Sequence, residues 1–358
     1  MTRREWLARG AGAVLAAGAA AGGAWLLYDP EGDAGLPAPS AGGVRLKNYF
    51  AGVDLPASSP RISVATGVED RIGQMVRAAV GGLAGDRGIR RFVSAGDVVL
   101  IKPNVGFDRP PAVGATAHPE VVRAVIRLCR EAGARMVVVA DNPIESPEAC
   151  FARSGIGPVA REEGARVVLP SEARFERVVL REDAPDAAAG EALGRWPIFH
   201  RPLAEATRVI GIAPVKDHNL ASSSQNMKNW YGLLGGRRNQ FHQAIHHVVS
   251  DLALMMSPTL VIADGTRVMM RNGPTGGRPS DTKPGGEMGR PVVVASVDQV
   301  ACDAWCYEHM LGRDPAQLAH LEMARGKIAR RIAAGEDRLA ESDWRVYERQ
   351  GLIGTTNL

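Results

Sequence analysis

The sequence predicts a single large α/β domain on a mostly parallel sheet with helices on both faces. Three observations predict it. Runs such as Val98-Val99-Leu100-Ile101, Met136-Val137-Val138-Val139-Ala140 and Val209-Ile210-Gly211-Ile212-Ala213 are apolar throughout, as strands buried on both faces are. Segments with apolar residues three and four apart lie between such runs, the pattern of crossover helices. Charged or amide residues follow several of the runs directly, and open parallel sheets bind ligands at that edge.

The elements follow in order. Residues 1–28 read as a targeting segment. Arg3-Arg4 and then Trp6-Leu7 precede a Gly/Ala/Leu-rich stretch from Gly10 to Tyr28, which resembles a twin-arginine export signal. The expected location is therefore periplasmic or otherwise extracytoplasmic, with the export machinery as a partner. The stretch is also long enough for a membrane anchor, and Trp25-Leu26-Leu27-Tyr28 would survive cleavage at Ala19-Ala20-Ala21. Residues 29–60 are rich in Gly, Pro, Ala and Ser and read as a linker.

The domain is expected over 61–330, with a tail over 331–358. Helical spacing covers 70–83. The helix over 119–132 has Pro119 in its first turn, one apolar face of Val121, Val122, Val125, Ile126 and Cys129, and Gly133 as its stop. Further helices are expected over 151–163, 245–256 and 298–311. Strands are expected over 98–101, 136–140, 167–169, 208–213, 259–263 and 291–297. Residues 173–196 read as an acidic, Ala-rich insertion, and 272–286 as a long Gly/Pro loop. Trp344 and Tyr347 are expected to dock a partly helical tail.

Composition narrows the function. The 358 residues are 45% hydrophobic and 23% charged, as in ordinary globular proteins. A net charge of +4 and 5% aromatics, with basic residues scattered among acids, exclude a nucleic-acid surface with interleaved stacking residues. The four cysteines, Cys129, Cys150, Cys302 and Cys306, form no C-x-x-C, so no iron–sulfur cluster is expected and the thiols read as buried and inert.

Of 43 basic residues only six are lysine: Lys47, Lys102, Lys216, Lys228, Lys283 and Lys327. Lys102 and Lys216 directly follow apolar runs, and Lys228 lies in the polar stretch Ser222 to Gly232. A lysine shifts its pKa when buried, and arginine cannot replace it in covalent or proton-transfer chemistry. The competing reading is that strand-end lysines snorkel to the surface. His218 stands two residues after Lys216, and His118 precedes Pro119 at a helix start, where it either caps the helix or faces a ligand. Lys102, His118, Lys216, His218 and Lys228 are thus the candidate catalytic residues. Asn104, Asp141, Asn226, Asn229 and Asp264 are the candidate ligand contacts. His242 and His246, four apart, have a spacing that suits a metal on a helix, with His242 the candidate ligand.

An ordered set of motifs carries a resemblance. Ile101-Lys102-Pro103-Asn104, Ala115-Thr116-Ala117-His118-Pro119-Glu120, Lys216-Asp217-His218, Met227-Lys228-Asn229 with Gly232, His242, Asp264-Gly265 with Gly273-Pro274, and Asp298-x-Val300-Ala301-Cys302-Asp303 resemble domain-of-unknown-function family 362. His218, Lys228 and His242 are more distantly similar to the nickel-pincer lactate racemase family, although Asn226-Met227 replaces that family's glycine pair. That resemblance implies proton transfer at His218, a covalent cofactor tether at Lys228 and nickel at His242.

The expected function is that of a small-molecule enzyme, isomerase- or racemase-like or a redox enzyme moving a proton or hydride. The lysines would balance a carboxylate or phosphate, and His218 with His118 would move protons. The other reading is a non-catalytic exported binding protein for a small anionic molecule or a metal ion. No nucleic-acid partner is expected.

Overall fold

A computed structural model describes residues 44–180, 194–333 and 342–358. The expected export signal lies outside these residues. Among them the strands are β1 (Ile62–Thr66), β2 (Val98–Pro103), β3 (Met136–Ala140), β4 (Arg166–Val168), β5 (Phe175–Val179), β6 (Arg195–Phe199), β7 (Arg208–His218), β8 (Ser222–Ser224), β9 (Leu260–Met269), β10 (Thr282–Lys283), β11 (Val292–Ser296) and β12 (Ile353–Asn357). One sheet has the order β12-β1-β11-β9-β7-β2-β3-β4. From β9 through β4 every neighbour is parallel. β11 runs antiparallel to both β9 and β1, and β12 runs parallel to β1.

The apolar runs explain the two-sided burial. Strand side chains alternate in direction, so Val98 and Leu100 enter one core while Val99 and Ile101 enter the other. Val261 and Ala263 are likewise separated from Leu260 and Ile262. The helices Ile72–Ala84 and Pro119–Glu131 pack on one face of the sheet. The helices Ile245–Met255, Gln299–His309 and Ala319–Ala333 pack on the other. The mostly parallel α/β sheet read from the sequence is the observed fold.

Several boundaries differ from expectation. The helix expected over 151–163 is two helices, Pro147–Arg153 and Ile156–Glu162. Gly155, at φ +75°, breaks it, because a left-handed residue cannot continue an α-helix. The insertion over 173–196 contributes β5 and β6, which pair antiparallel as a separate ribbon; residues 181–193 lie outside the described part. The long loop contains β10, which pairs with β9. The four cysteines are free and buried.

The expected linker packs on the domain from Val44 onward. Tyr49 is buried, and its Oη donates to Leu203 O at 2.9 Å. The expected tail is also integral, because β12 extends the sheet. Trp344 and Tyr347 are buried as expected, and Tyr347 Oη donates to Asp298 Oδ2 at 2.7 Å.

Candidate active site

β7 runs five residues beyond the expected strand over 208–213, so Lys216 and His218 lie inside the strand rather than past its end. A register shift against β9 falls between Pro214 and Lys216, and such irregularities re-aim side chains. β8 folds back on β7, pairing Lys216 with Ser224 and His218 with Ser222. This hairpin returns the chain to the carboxyl ends of β2 and β3, where the short helix Asn226–Asn229 begins.

Asp303 of the helix Gln299–His309 holds the start of that short helix. Its Oδ1 accepts from Asn226 N at 3.0 Å and Asn226 Nδ2 at 2.9 Å, and its Oδ2 from Met227 N at 2.8 Å. Burial pushes the Asp303 carboxyl up to about 7, opposed by these donors. Trp230 anchors the following turn: Nε1 donates to Gln299 Oε1 at 2.6 Å. The indole lies where a Cβ on Gly211 would approach it to 2.8 Å, so glycine in β7 makes room for it.

Asn229 ties the turn to the sheet. Its Nδ2 donates to Lys102 O at 3.1 Å and Ile212 O at 3.2 Å, bridging β2 and β7. Its Oδ1 accepts from Lys102 Nζ at 2.6 Å. Lys102 Nζ also lies 2.7 Å from Asp141 Oδ1, with both side chains buried, and Asp141 Oδ2 accepts from Val105 N at 2.7 Å. A Cβ on Gly232 would sit 2.5 Å from Asp141 Oδ1 and 2.8 Å from Lys102 Nζ. Burial lowers the Lys102 pKa, and Asp141 opposes the shift. Lys102 does not snorkel; it is half of a buried ion pair.

The other cations lack such a partner. Lys216 Nζ donates to Ala115 O at 2.5 Å and Asn104 Oδ1 at 3.3 Å, and lies 5.1 Å from the Phe107 ring centre. Burial, then the charges of Lys228 and Lys102, lower it well below the ordinary lysine value. Lys228 is half-buried, with Nζ 5.0 Å from the Tyr231 ring centre. Burial, then Arg238 and Lys102, push it down to about 7. Arg238 is buried and donates to Pro143 O at 2.7 Å, Asn142 O at 2.9 Å and Leu234 O at 3.1 Å. Among the described residues no carboxylate pairs directly with Lys216, Lys228 or Arg238.

His218 is buried, and its Nδ1 accepts from Leu220 N at 3.1 Å and Ala221 N at 3.2 Å. Two N–H donors on Nδ1 place the ring proton on Nε2. Burial, then the charges of Lys228 and Lys216, push His218 down to about 2. It is therefore a neutral N–H donor at physiological pH.

His118 acts as the helix cap: Nδ1 accepts from Glu120 N at 3.2 Å. Its main-chain N donates to Asp264 Oδ2 at 2.7 Å, while Asp264 Oδ1 accepts from Thr266 N and Oγ1. Asp264 thus organises backbone. Asn226 Oδ1 and Gln225 Oε1 are buried without a donor. The expected pairing of His242 with His246 is not formed. The chain is a tight 3-10 segment over Arg238–Ala244 and becomes α-helical only at Ile245, so the one-turn spacing is lost. His242 Nδ1 contacts Asn239 O at 2.7 Å, and His246 Nδ1 faces His320 Nδ1 at 3.1 Å. Among the described residues no group of three or more His, Cys, Asp or Glu could hold a metal ion.

Sequence reasoning missed Arg238, Asp303 and His320. Asp303 stands in one of the motifs quoted above. Arg238 follows Gly235-Gly236-Arg237 and reads as an ordinary surface loop.

A thylakoid-associated protein of Synechocystis sp. is 25% identical over 247 residues, covering 64% of this chain and 68% of that protein. The lactate racemase apoprotein of Thermoanaerobacterium thermosaccharolyticum is similar at a TM-score of 0.34 and 14% identity, over 60% of this chain and 52% of that one. A likeness that distant says nothing about chemistry. The family described as domain of unknown function (DUF362) matches residues 99–308, a span that contains Lys102, Asp141, Lys216, His218, Lys228, Arg238 and Asp303, and the chain belongs to that family.

Proposed function

We propose that this site binds a small anion and that the protein is an enzyme acting on it. The observation that supports the reading is the charge imbalance. Lys102, Lys216, Lys228 and Arg238 share a buried region whose nearby carboxylate, Asp141, is already paired with Lys102. Burying a charge without a partner is costly, and a carboxylate or phosphate from outside would offset that cost. His218 would present its Nε2–H to an oxygen of the ligand. Lys228, half-buried and near neutrality at about 7, suits proton transfer at a carbon beside the anionic group. The reaction class is then isomerase- or racemase-like, or a redox step that moves a proton or hydride.

Binding without turnover is the second reading. It is favoured by His118 and His218, whose Nδ1 atoms both accept from backbone N–H groups, which leaves neither neutral ring a free basic nitrogen for acid/base work. We also propose export and membrane association. Arg3-Arg4 ahead of an apolar segment supports export, and the name of the Synechocystis relative supports association with a membrane. Among the described residues no helix is long and apolar enough to cross one.

Calorimetric titration of the full chain with sulfate, inorganic phosphate and lactate at neutral pH tests the anion site. Saturable binding of at least one is expected, weakened about tenfold or more by Lys216→Met, as loss of a charged contact implies. No binding of any of the three would end the proposal. Exchange of the lactate Cα hydrogen with deuterated solvent would separate an enzyme from a binder.

A further inference from the structure

The three lysines of the site differ in what holds their amines. Lys102 Nζ is held by Asp141 and Asn229, and Lys216 Nζ by Ala115 O and Asn104 Oδ1. Lys228 Nζ meets the face of Tyr231 and, among the described residues, no hydrogen-bond acceptor. It is half-buried whereas Lys102 and Lys216 are fully buried, so it can be reached from solvent. An amine in a partly dry site beside other cations is the setting of a nucleophilic lysine. Among the described residues, a charged ammonium in this place meets the Tyr231 ring but no protein acceptor for its three protons.

We propose that Lys228 forms an imine with a small 2-oxo acid, a compound that carries its reactive carbonyl beside a carboxylate. The inference rests on the anion-binding reading, since the surplus of positive charge would hold the carboxylate. The neutral amine adds to the carbonyl carbon as the C–O π bond breaks. The oxygen takes up a proton and the nitrogen loses one, giving a carbinolamine. A second proton passes from nitrogen to the hydroxyl, the C–O bond breaks, and water leaves as C=N forms. One water is released, and nothing is oxidised or reduced. His218 Nε2–H would donate a hydrogen bond to the carbonyl oxygen during addition, and the Tyr231 face would stabilise the imine when it is protonated.

Pyruvate with sodium borohydride as trapping agent tests the inference on the full wild-type chain, followed by intact mass and peptide mapping. One reduced adduct is expected on the peptide containing Lys228, with labelling half-maximal near pH 7. At that pH it should exceed labelling of exposed Lys47, whose Nζ is held by Ala204 O and Ala206 O, by on the order of tenfold or more, because only a neutral amine is nucleophilic. Lys228→Arg should abolish the adduct, because a guanidinium forms no imine under these conditions. Sulfate binding with no adduct, or with label spread evenly over Lys228 and Lys47, would overturn the imine and leave the anion site standing. Loss of both sulfate binding and labelling in the wild type would remove both.

Discussion

Lys228 carries a consequence for stability, because among the described residues no carboxylate opposes its desolvation. Its pKa in the folded protein is about 7, against 10.5 for an ordinary lysine. Between those values the unfolded chain binds more protons than the native one, so stability rises with pH across that window. Below it the full penalty of burying the ammonium applies; above it the penalty is gone. The unfolding midpoint of the ligand-free protein in urea should therefore climb from about pH 7 to about pH 10. Lys228→Met should reduce that climb, the remainder coming from Lys216 and Lys102, whose pKa values burial also lowers. An equal climb in the variant would mean that Lys228 stays solvated.

At the scale of elements, the short helix Asn226–Asn229 is too brief to be stable alone. It is held by Asp303 at its start and Trp230 at its end. Asp303→Asn exchanges one acceptor oxygen for an NH2 group that faces N–H donors. The expected cost is about 1–3 kcal/mol, the usual penalty for an unsatisfied buried donor, measurable by urea denaturation. Because Asn229 and Lys228 ride on this helix, sulfate affinity should fall as well. Wild-type affinity in a destabilised Asp303→Asn variant would show that the helix position does not matter to the site.

For the whole molecule, the parallel run β9-β7-β2-β3-β4 gathers its carboxyl ends at one edge, and the site lies there. The strands beyond, β11, β1 and β12, carry none of the site's cations. The proposed export signal belongs to this scale too. Changing Arg3 and Arg4 together to lysine should retain the chain in the cytoplasm of a host with twin-arginine machinery, as read by cell fractionation. Normal export of the double variant would remove the twin-arginine reading.

The sequence by itself determined the sheet and three of its key lysines. Buried parallel strands need unbroken apolar runs, so β2, β3, β7 and β9 were legible. The scarcity of lysine among arginines marked Lys102, Lys216 and Lys228. Only the tertiary structure decided what each does. Lys102 and Asp141 form an ion pair across two strands. His218 is fixed as an Nε2–H donor by a turn two residues on. Asp264 accepts from the main-chain N of His118 and of Thr266. Arg238, one arginine among many, becomes part of the site because its loop closes over Asn142 and Pro143. β12 escaped notice because Ile353-Gly354-Thr355-Thr356-Asn357 is mostly polar, and an edge strand needs little apolar surface once a neighbour offers hydrogen bonds. Local pattern fixes burial and period; long-range contacts fix partners, tautomers and charge states.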